Sequence, residues 1–212
     1  MIEQGTGKHN DIVEAAKKLF MEKGYTSTTV RDIVETANTS MGNLYFHFPN
    51  KISILKHITK KFITVLRNQI KSIHELDFPP EVGFALDFKI GYITTLEDVK
   101  LSQYWVVVQN TPEIHKYSLE NKKIRLQTFF GERIDPDELD YLATAIQGIA
   151  DGIFQQKREG KVNDSPGKLS NTIIDYSLRI LGFNKNEIQN AIAQAEKYIN
   201  EHEISTYDYF NF

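Results

Sequence analysis

Residues 24–55 read Gly24-Tyr25-Thr26-Ser27-Thr28-Thr29-Val30-Arg31-Asp32-Ile33-Val34-Glu35-Thr36-Ala37-Asn38-Thr39-Ser40-Met41-Gly42-Asn43-Leu44-Tyr45-Phe46-His47-Phe48-Pro49-Asn50-Lys51-Ile52-Ser53-Ile54-Leu55. Two short helical patterns are joined here by a tight polar turn. Thr28, with Thr29 next best, is placed to cap the first, which carries Val30, Ile33, Val34 and Ala37 on one side. Asn38 is the turn residue, because asparagine tolerates positive φ better than most residues. Ser40 caps a second helix over Met41 to about His47, and Pro49 ends it. Upstream, Ile12, Val13, Ala16, Leu19 and Phe20 recur at helical spacing over about 10–23, and Gly24 stands where a left-handed residue closes a helix. Gly42 costs its short helix roughly 1 kcal/mol relative to alanine. That cost is reasonable where a bare backbone must come close to a base edge or a phosphate. Helix, turn and second helix is the helix-turn-helix arrangement, whose second helix enters the DNA major groove.

Ala15-Ala16, Leu19-Phe20, Gly24-Tyr25, Thr28-Thr29-Val30, Ile33, Ala37, Ser40, Gly42, Leu44-Tyr45, His47-Phe48, Lys51 and Leu55 stand in one register. In this first quarter the chain resembles the tetracycline-repressor (TetR) family of transcriptional regulators. The resemblance implies an all-α protein, with a three-helix DNA-binding head over residues 1–52 and an effector-binding and dimerisation body over 53–212. Carried onto this sequence, Tyr45 and His47 contact phosphates, as does Thr28 or Thr29. Lys51 adds a cation to the amides that open the fourth helix, an arrangement suited to anions. Bases are read by Thr39, Ser40, Met41, Gly42 and Asn43, with Arg31 reaching in. Asn43 suits adenine and Arg31 suits guanine. Ile33, Ala37, Leu44 and Phe48 are expected in the head core. Phe46 is also expected there, ahead of an apolar contact to a thymine methyl.

Charge is divided in the same sense. The net charge of the 212 residues is −3. Residues 1–61 nevertheless carry nine Lys/Arg against six Asp/Glu, and residues 62–212 carry sixteen against twenty-two. A basic head on an acidic body suits docking to DNA by one end. With no cysteine there is no disulfide framework and no thiolate zinc site. The six histidines lack metal spacing, so no metal and no cofactor is expected. Gly5-Thr6-Gly7-Lys8 lacks the strand, the glycine spacing and the hydroxyl residue of a phosphate loop, and is read as a flexible tail. No apolar run is long enough to span a bilayer and no leader is visible at the start, so the expected place is the cytoplasm, without a membrane partner. An enzyme is the rival class, and no catalytic constellation supports it.

Beyond the head, Ile52, Leu55, Ile58, Phe62, Leu66, Ile70 and Ile73 predict a long helix over about 51–74. All six prolines fall at expected boundaries, and Pro112, Pro136 and Pro166 each follow a capping residue. Helices are therefore expected over about 81–95, 97–110, 112–130, 136–158, 166–182 and 184–202. The resemblance implies that helices of the body enclose an apolar effector pocket, with Phe62, Phe84, Phe88, Tyr92, Tyr104, Trp105, Tyr117 and Phe129 as candidate lining. It also implies a homodimer joined through the last long helices. Ala145, Gly148 and Gly152 make one of them smooth, and Leu178 and Leu181 lie on the next. The expected partners are a palindromic double-stranded operator, a small-molecule effector and a second copy of the chain. The expected function is a homodimeric repressor released by a small, largely apolar ligand. The alternatives are an architectural DNA-binding protein without an effector, and a protein-protein adaptor.

Overall fold

The computed structural model describes residues 3–97, 106, 107 and 109–202. Among these there is no strand, and the helices follow the expected order. They are α1 Glu3–Lys23, α2 Val30–Thr36, α3 Met41–His47, α4 Lys51–His74, α5 Pro80–Glu97, α6 Pro112–Phe130, α7 Leu139–Arg158, α8 Pro166–Ile180 and α9 Lys185–Glu201. Most of the helix expected over 97–110 lies outside the described residues, as does the aromatic segment from Tyr207 to Phe212.

Local chemistry sets the boundaries. Gly24 closes α1 at φ +84°, a conformation costly for any residue with a Cβ. Asn38 holds the α2–α3 turn at φ +45°. The Ser40 and Asn50 side chains accept from the third helical amide of α3 and α4, and Asn184 with Glu187 forms a capping box on α9. Ser165 caps α8 with Pro166 in the first turn, as expected. Two boundaries differ from the sequence reading. Asp135 spends its carboxylate on the amide of Asp137, and Glu138 N–H donates to the Asp135 carbonyl. Residues 135–138 are thus a turn, and α7 begins at Leu139 rather than Pro136. At the other end, Gly5-Thr6-Gly7-Lys8, read as a flexible tail, continues α1 as helix.

Two apolar cores result. The head core joins Ile12, Val13, Ala16 and Phe20 of α1 to Ile33, Leu44 and Phe48, and to Ile54, Leu55 and Ile58 of α4. Ile114, in the first turn of α6, is fully buried in it. The body core is built around α5, on which every residue from Val82 to Ile90 is buried. Gly83 allows a close approach in that core. A Cβ there would stand 2.8 Å from Cε1 of Phe129 on α6. Both α4 and α6 pass from one core to the other, so the head and body share two helices.

Candidate nucleic-acid interface

The head core fixes which way α3 faces. Leu44 and Phe48 are buried, as expected, and turn the opposite side of the helix outward. Met41, Tyr45 and Phe46 are 43%, 49% and 82% exposed. Phe46 is therefore not a core residue. One position round from Tyr45, it lies on the outer side of α3, and its ring meets the edge of His47, with centroids 5.1 Å apart. Gly42 is also outward, and a Cβ there would come no nearer than 4.0 Å to another side chain. Among the described residues of the head, nothing requires a glycine at that position.

The polar candidates divide between outward and internal tasks. Thr29, not Thr28, caps α2. Its hydroxyl accepts from Asp32 N–H at 3.1 Å, and Asp32 accepts from Thr29 N–H at 2.7 Å. The Lys23 ammonium donates to the same carboxylate at 2.6 Å, and these bonds hold Asp32 at a pKa of about 2. Thr28 is only 1% exposed, and its hydroxyl donates to the carbonyls of Gly24 and Leu19. It fastens α2 to the end of α1 and offers nothing to a phosphate. Ser40 Oγ accepts from Asn43 N–H at 3.1 Å, while Asn43 Nδ2 donates to Thr39 Oγ1 at 2.7 Å. Arg31 is exposed on α2.

Lys51 also departs from expectation. Its ammonium donates to the carbonyls of Tyr25 at 2.8 Å and Thr28 at 2.7 Å, and lies 4.2 Å from the centroid of the Tyr25 ring. Partial burial lowers its pKa. This cation locks the α1–α2 loop against the start of α4, a structural task that the residue pattern did not reveal. His47 is half-buried in a ring cluster with His9 of α1, while Phe48 and His57 of α4 complete the group. His57 has its pKa lowered by burial first, then by His9, Lys61 and Lys60.

In the body, Phe62, Phe84, Phe88 and Phe129 are buried. Phe84 stacks on Phe88 at 4.2 Å and meets Phe130 at 5.2 Å, so this pair is packed core rather than pocket lining. Phe129 borders a cleft of about 150 Å³ with Ile73, His74, Phe78 and Gly83. Tyr117 is exposed on α6 and leaves the candidate lining. Tyr104, Trp105 and the side chain of Tyr92 lie outside the described residues. The sequence reading missed a buried polar layer at Asp87, Lys122, Arg125 and Gln147.

The small residues of α7 are exposed. Ala145, Gly148 and Gly152 face away from the body, and a Cβ on either glycine would meet nothing within 4 Å. Leu178, by contrast, is fully buried in the body core, and Leu181 packs against that core. Leu178 is therefore not available as a contact of another chain, whereas Leu181 is only partly buried. Tyr141 of α7, with Tyr176 and Ile180 of α8, stands exposed in their place. Among the described residues, no group of three or more His, Asp or Glu side chains is placed to hold a metal ion. No helix there is long and apolar enough to cross a membrane.

Comparison with known proteins agrees with this geometry. Residues 12–58 match the bacterial regulatory proteins of the tetR family. The chain is 35% identical over 153 residues to the HTH-type transcriptional repressor KstR2 of Rhodococcus jostii, covering 71% of this chain and 69% of that one. It is 33% identical over 107 residues to IcaR of Staphylococcus aureus, a negative regulator of the biofilm operon icaADBC. That match covers 48% of this chain and 54% of IcaR, so the chain spans about half the length of that relative. In fold it resembles SmeT, the repressor of the Stenotrophomonas maltophilia efflux pump SmeDEF, with TM-score 0.65, 17% identity, and 81% and 89% of the two chains covered. It also resembles RolR in complex with resorcinol, with TM-score 0.67, 16% identity, and 91% and 96% covered.

Proposed function

The chain belongs to the TetR family of bacterial regulatory proteins, and on that premise we propose that it is a homodimeric repressor that leaves its operator when a small, largely apolar molecule binds its body. The observation that carries this reading is the outward face of α3. A seven-residue helix holds one side in the head core and presents Met41, Gly42, Tyr45 and Phe46 to the outside. Exposing an aromatic ring forfeits burial worth about 2 kcal/mol, which contact with DNA would recover.

In this reading Thr39, Ser40, Met41, Gly42 and Asn43 face base edges, with Arg31 beside them. Ser40 already uses an oxygen lone pair on α3 and keeps its hydroxyl proton to donate. Asn43 exchanges its bond to Thr39 for an adenine. Phe46 takes the thymine methyl or the adjoining sugar. Thr29, Tyr45 and His47 flank the phosphates with the first amides of α4, whose approach Lys51 sets by pinning the loop. One recognition helix reads too few bases for genomic specificity, which supports a dimer on a two-fold operator. The exposed Tyr141, Ala145, Gly148, Gly152, Tyr176 and Ile180 are its proposed interface. The named repressors KstR2 and SmeT support repression, and the resorcinol complex of RolR supports a small effector.

Effector control needs a path from body to head. Here α4 and α6 would supply it, because each contributes buried residues to both cores. A ligand that favours a body state in which these helices shift lowers DNA affinity by its preference for that state. The test is titration of the chain against its own upstream DNA and a random duplex, with and without candidate effectors.

A further inference from the structure

We infer that α4 carries a second track for the DNA backbone, along which duplex flanking the operator is drawn toward the body. The inference rests on the operator-binding reading above and adds a surface to it. From Thr36 to His74 the chain has no Asp or Glu, although it holds 28 of them in all, and six Lys/Arg fall in that span. The span covers α3 and the whole of α4, so the acid-free run continues from the recognition helix without a break. Lys51 is spent on the carbonyls of Tyr25 and Thr28. The other five, Lys56, Lys60, Lys61, Arg67 and Lys71, all lie on α4.

At the helical repeat, Lys56, Lys60, Arg67 and Lys71 fall within about 60° of one another around the axis and span roughly 22 Å of its length. That side is opposite to the one that buries Leu55, Ile58 and Phe62. Lys60, Arg67 and Lys71 are exposed, as are Thr64, Asn68 and Ser72 among them. Thr64 and Ser72 donate their hydroxyls to carbonyls of the helix itself. Arg67 is steered by α6, since its Nε donates to Asn121 Oδ1 at 3.0 Å.

Among the described residues, none of these five cations forms an ion pair. Other helices neutralise cations with an acid three or four residues away. Lys17 pairs with Glu14 on α1, Lys123 with Glu120 on α6, Arg179 with Asp175 on α8 and Lys197 with Glu201 on α9. On α4 the neighbours at that spacing are like charges, Lys56 with Lys60 and Arg67 with Lys71, which repel and weaken a helix. Lys61 and Lys60 also help to lower the pKa of His57, after burial and His9. A polyanion laid along the stripe removes that repulsion.

The side chains of the stripe select among polyanions. A protein partner would need an apolar or aromatic centre to its contact, and a lipid surface would need apolar side chains to enter it. No large apolar side chain described on α4 is exposed. Lysine, arginine, asparagine and hydroxyl residues are the types that meet phosphates. α3 ends at His47 and α4 begins at Lys51, so DNA held by α3 lies beside the head end of the stripe. A duplex that continues along it bends toward the body, and the counterions released from its phosphates offset the bending.

The test uses the full chain and two duplexes, the footprinted operator alone and the same operator with about 20 bp of flank on each side. Affinity is measured over a range of salt, and circular dichroism checks folding of each variant. On the long duplex, Lys60→Gln with Arg67→Gln and Lys71→Gln should lower the salt slope by about 2.7 per chain, about 0.9 for each charge. On the operator alone the slope should not change. Lys60→Gln and Lys71→Gln singly should each give a third of that loss while leaving the contact of Arg67 with Asn121 in place. Fluorophores on the two ends of the long duplex should come closer together with the wild type than with the triple variant. An unchanged slope on the long duplex, or equal losses on both duplexes, would overturn the assignment. So would a triple variant that binds both duplexes as the wild type does but loses binding to phosphatidylglycerol vesicles, which would give the stripe to a lipid surface. No preference of the wild type for the operator over a random duplex would reject the operator reading and the stripe together. A retained preference with an unchanged slope would reject the stripe alone.

Discussion

Thr28 and Thr29 are adjacent and chemically identical, yet one is a buried peg and the other a helix cap. Either threonine could open α2, so sequence alone left the register uncertain by one residue. The buried hydroxyl bonds of Thr28 to Gly24 and Leu19 settle it. Thr29→Ala should lower stability by about 1 kcal/mol, the usual worth of such a cap. Thr28→Val should cost about 1–2 kcal/mol by leaving carbonyls short of a donor. Urea denaturation measures both, and only Thr29→Ala should also reduce DNA affinity of the folded protein. Asp32 titrates in the native state near pH 2, below its ordinary value. Its contribution is therefore complete above about pH 4 and is lost as pH falls toward 2. Asp32→Asn should remove that part of the acid dependence, and an unchanged acid limb would count against the capping box as its source.

At the level of elements, the helix-turn-helix was legible because its punctuation is chemically specific. Gly24 and Asn38 both occupy the left-handed region expected of them. Asn38→Val should cost about 1–2 kcal/mol, since a β-branched residue is strained there; a neutral effect in thermal melts would contradict that view of the turn. The start of α7 was misread because Asp135-Pro136 has the composition of a cap and first turn but uses its carboxylate in a tighter turn. Phe46 was misread because helical spacing does not distinguish an apolar residue facing a core from one facing a ligand. Lys51 carries a similar lesson, as its cation proved to be pinned by two carbonyls. Lys51→Met should lower head stability and weaken binding to specific and random DNA alike. It should leave the salt slope nearly unchanged, because no phosphate contact is removed. A slope reduced by about one would restore a direct phosphate role.

On the scale of the whole molecule, the two cores are joined by helices that they share, α4 and α6. The periodicity of α4 was visible, but Ile114 as a head residue was not, since it lies 56 positions beyond Ile58 in the chain. Asp87 and Lys122 were equally hidden, because nothing in a short window marks a charge as buried. Burial pushes Asp87 up to about 6 despite Arg125 and Lys122 nearby. The native state therefore binds more protons than the unfolded chain between about pH 4 and 6, and this group makes stability fall as pH rises through that range. Asp87→Asn should flatten that limb in denaturation curves taken at several pH values. The exposed face of α7 gives a matching prediction for assembly. Gly148 and Gly152 each cost their helix roughly 1 kcal/mol with no neighbour among the described residues to explain them. Gly148→Arg should give a folded monomer by sedimentation, and DNA affinity should drop with the loss of the second half-site.

The most direct measurement is footprinting of the purified chain on its own upstream DNA, beside titration of a random duplex, at two salt concentrations. The account predicts protection with two-fold symmetry, affinity at least about a thousandfold above random DNA, and a steep loss as salt rises. Binding without preference for any sequence, or affinity indifferent to salt, would contradict the claim that this head reads an operator.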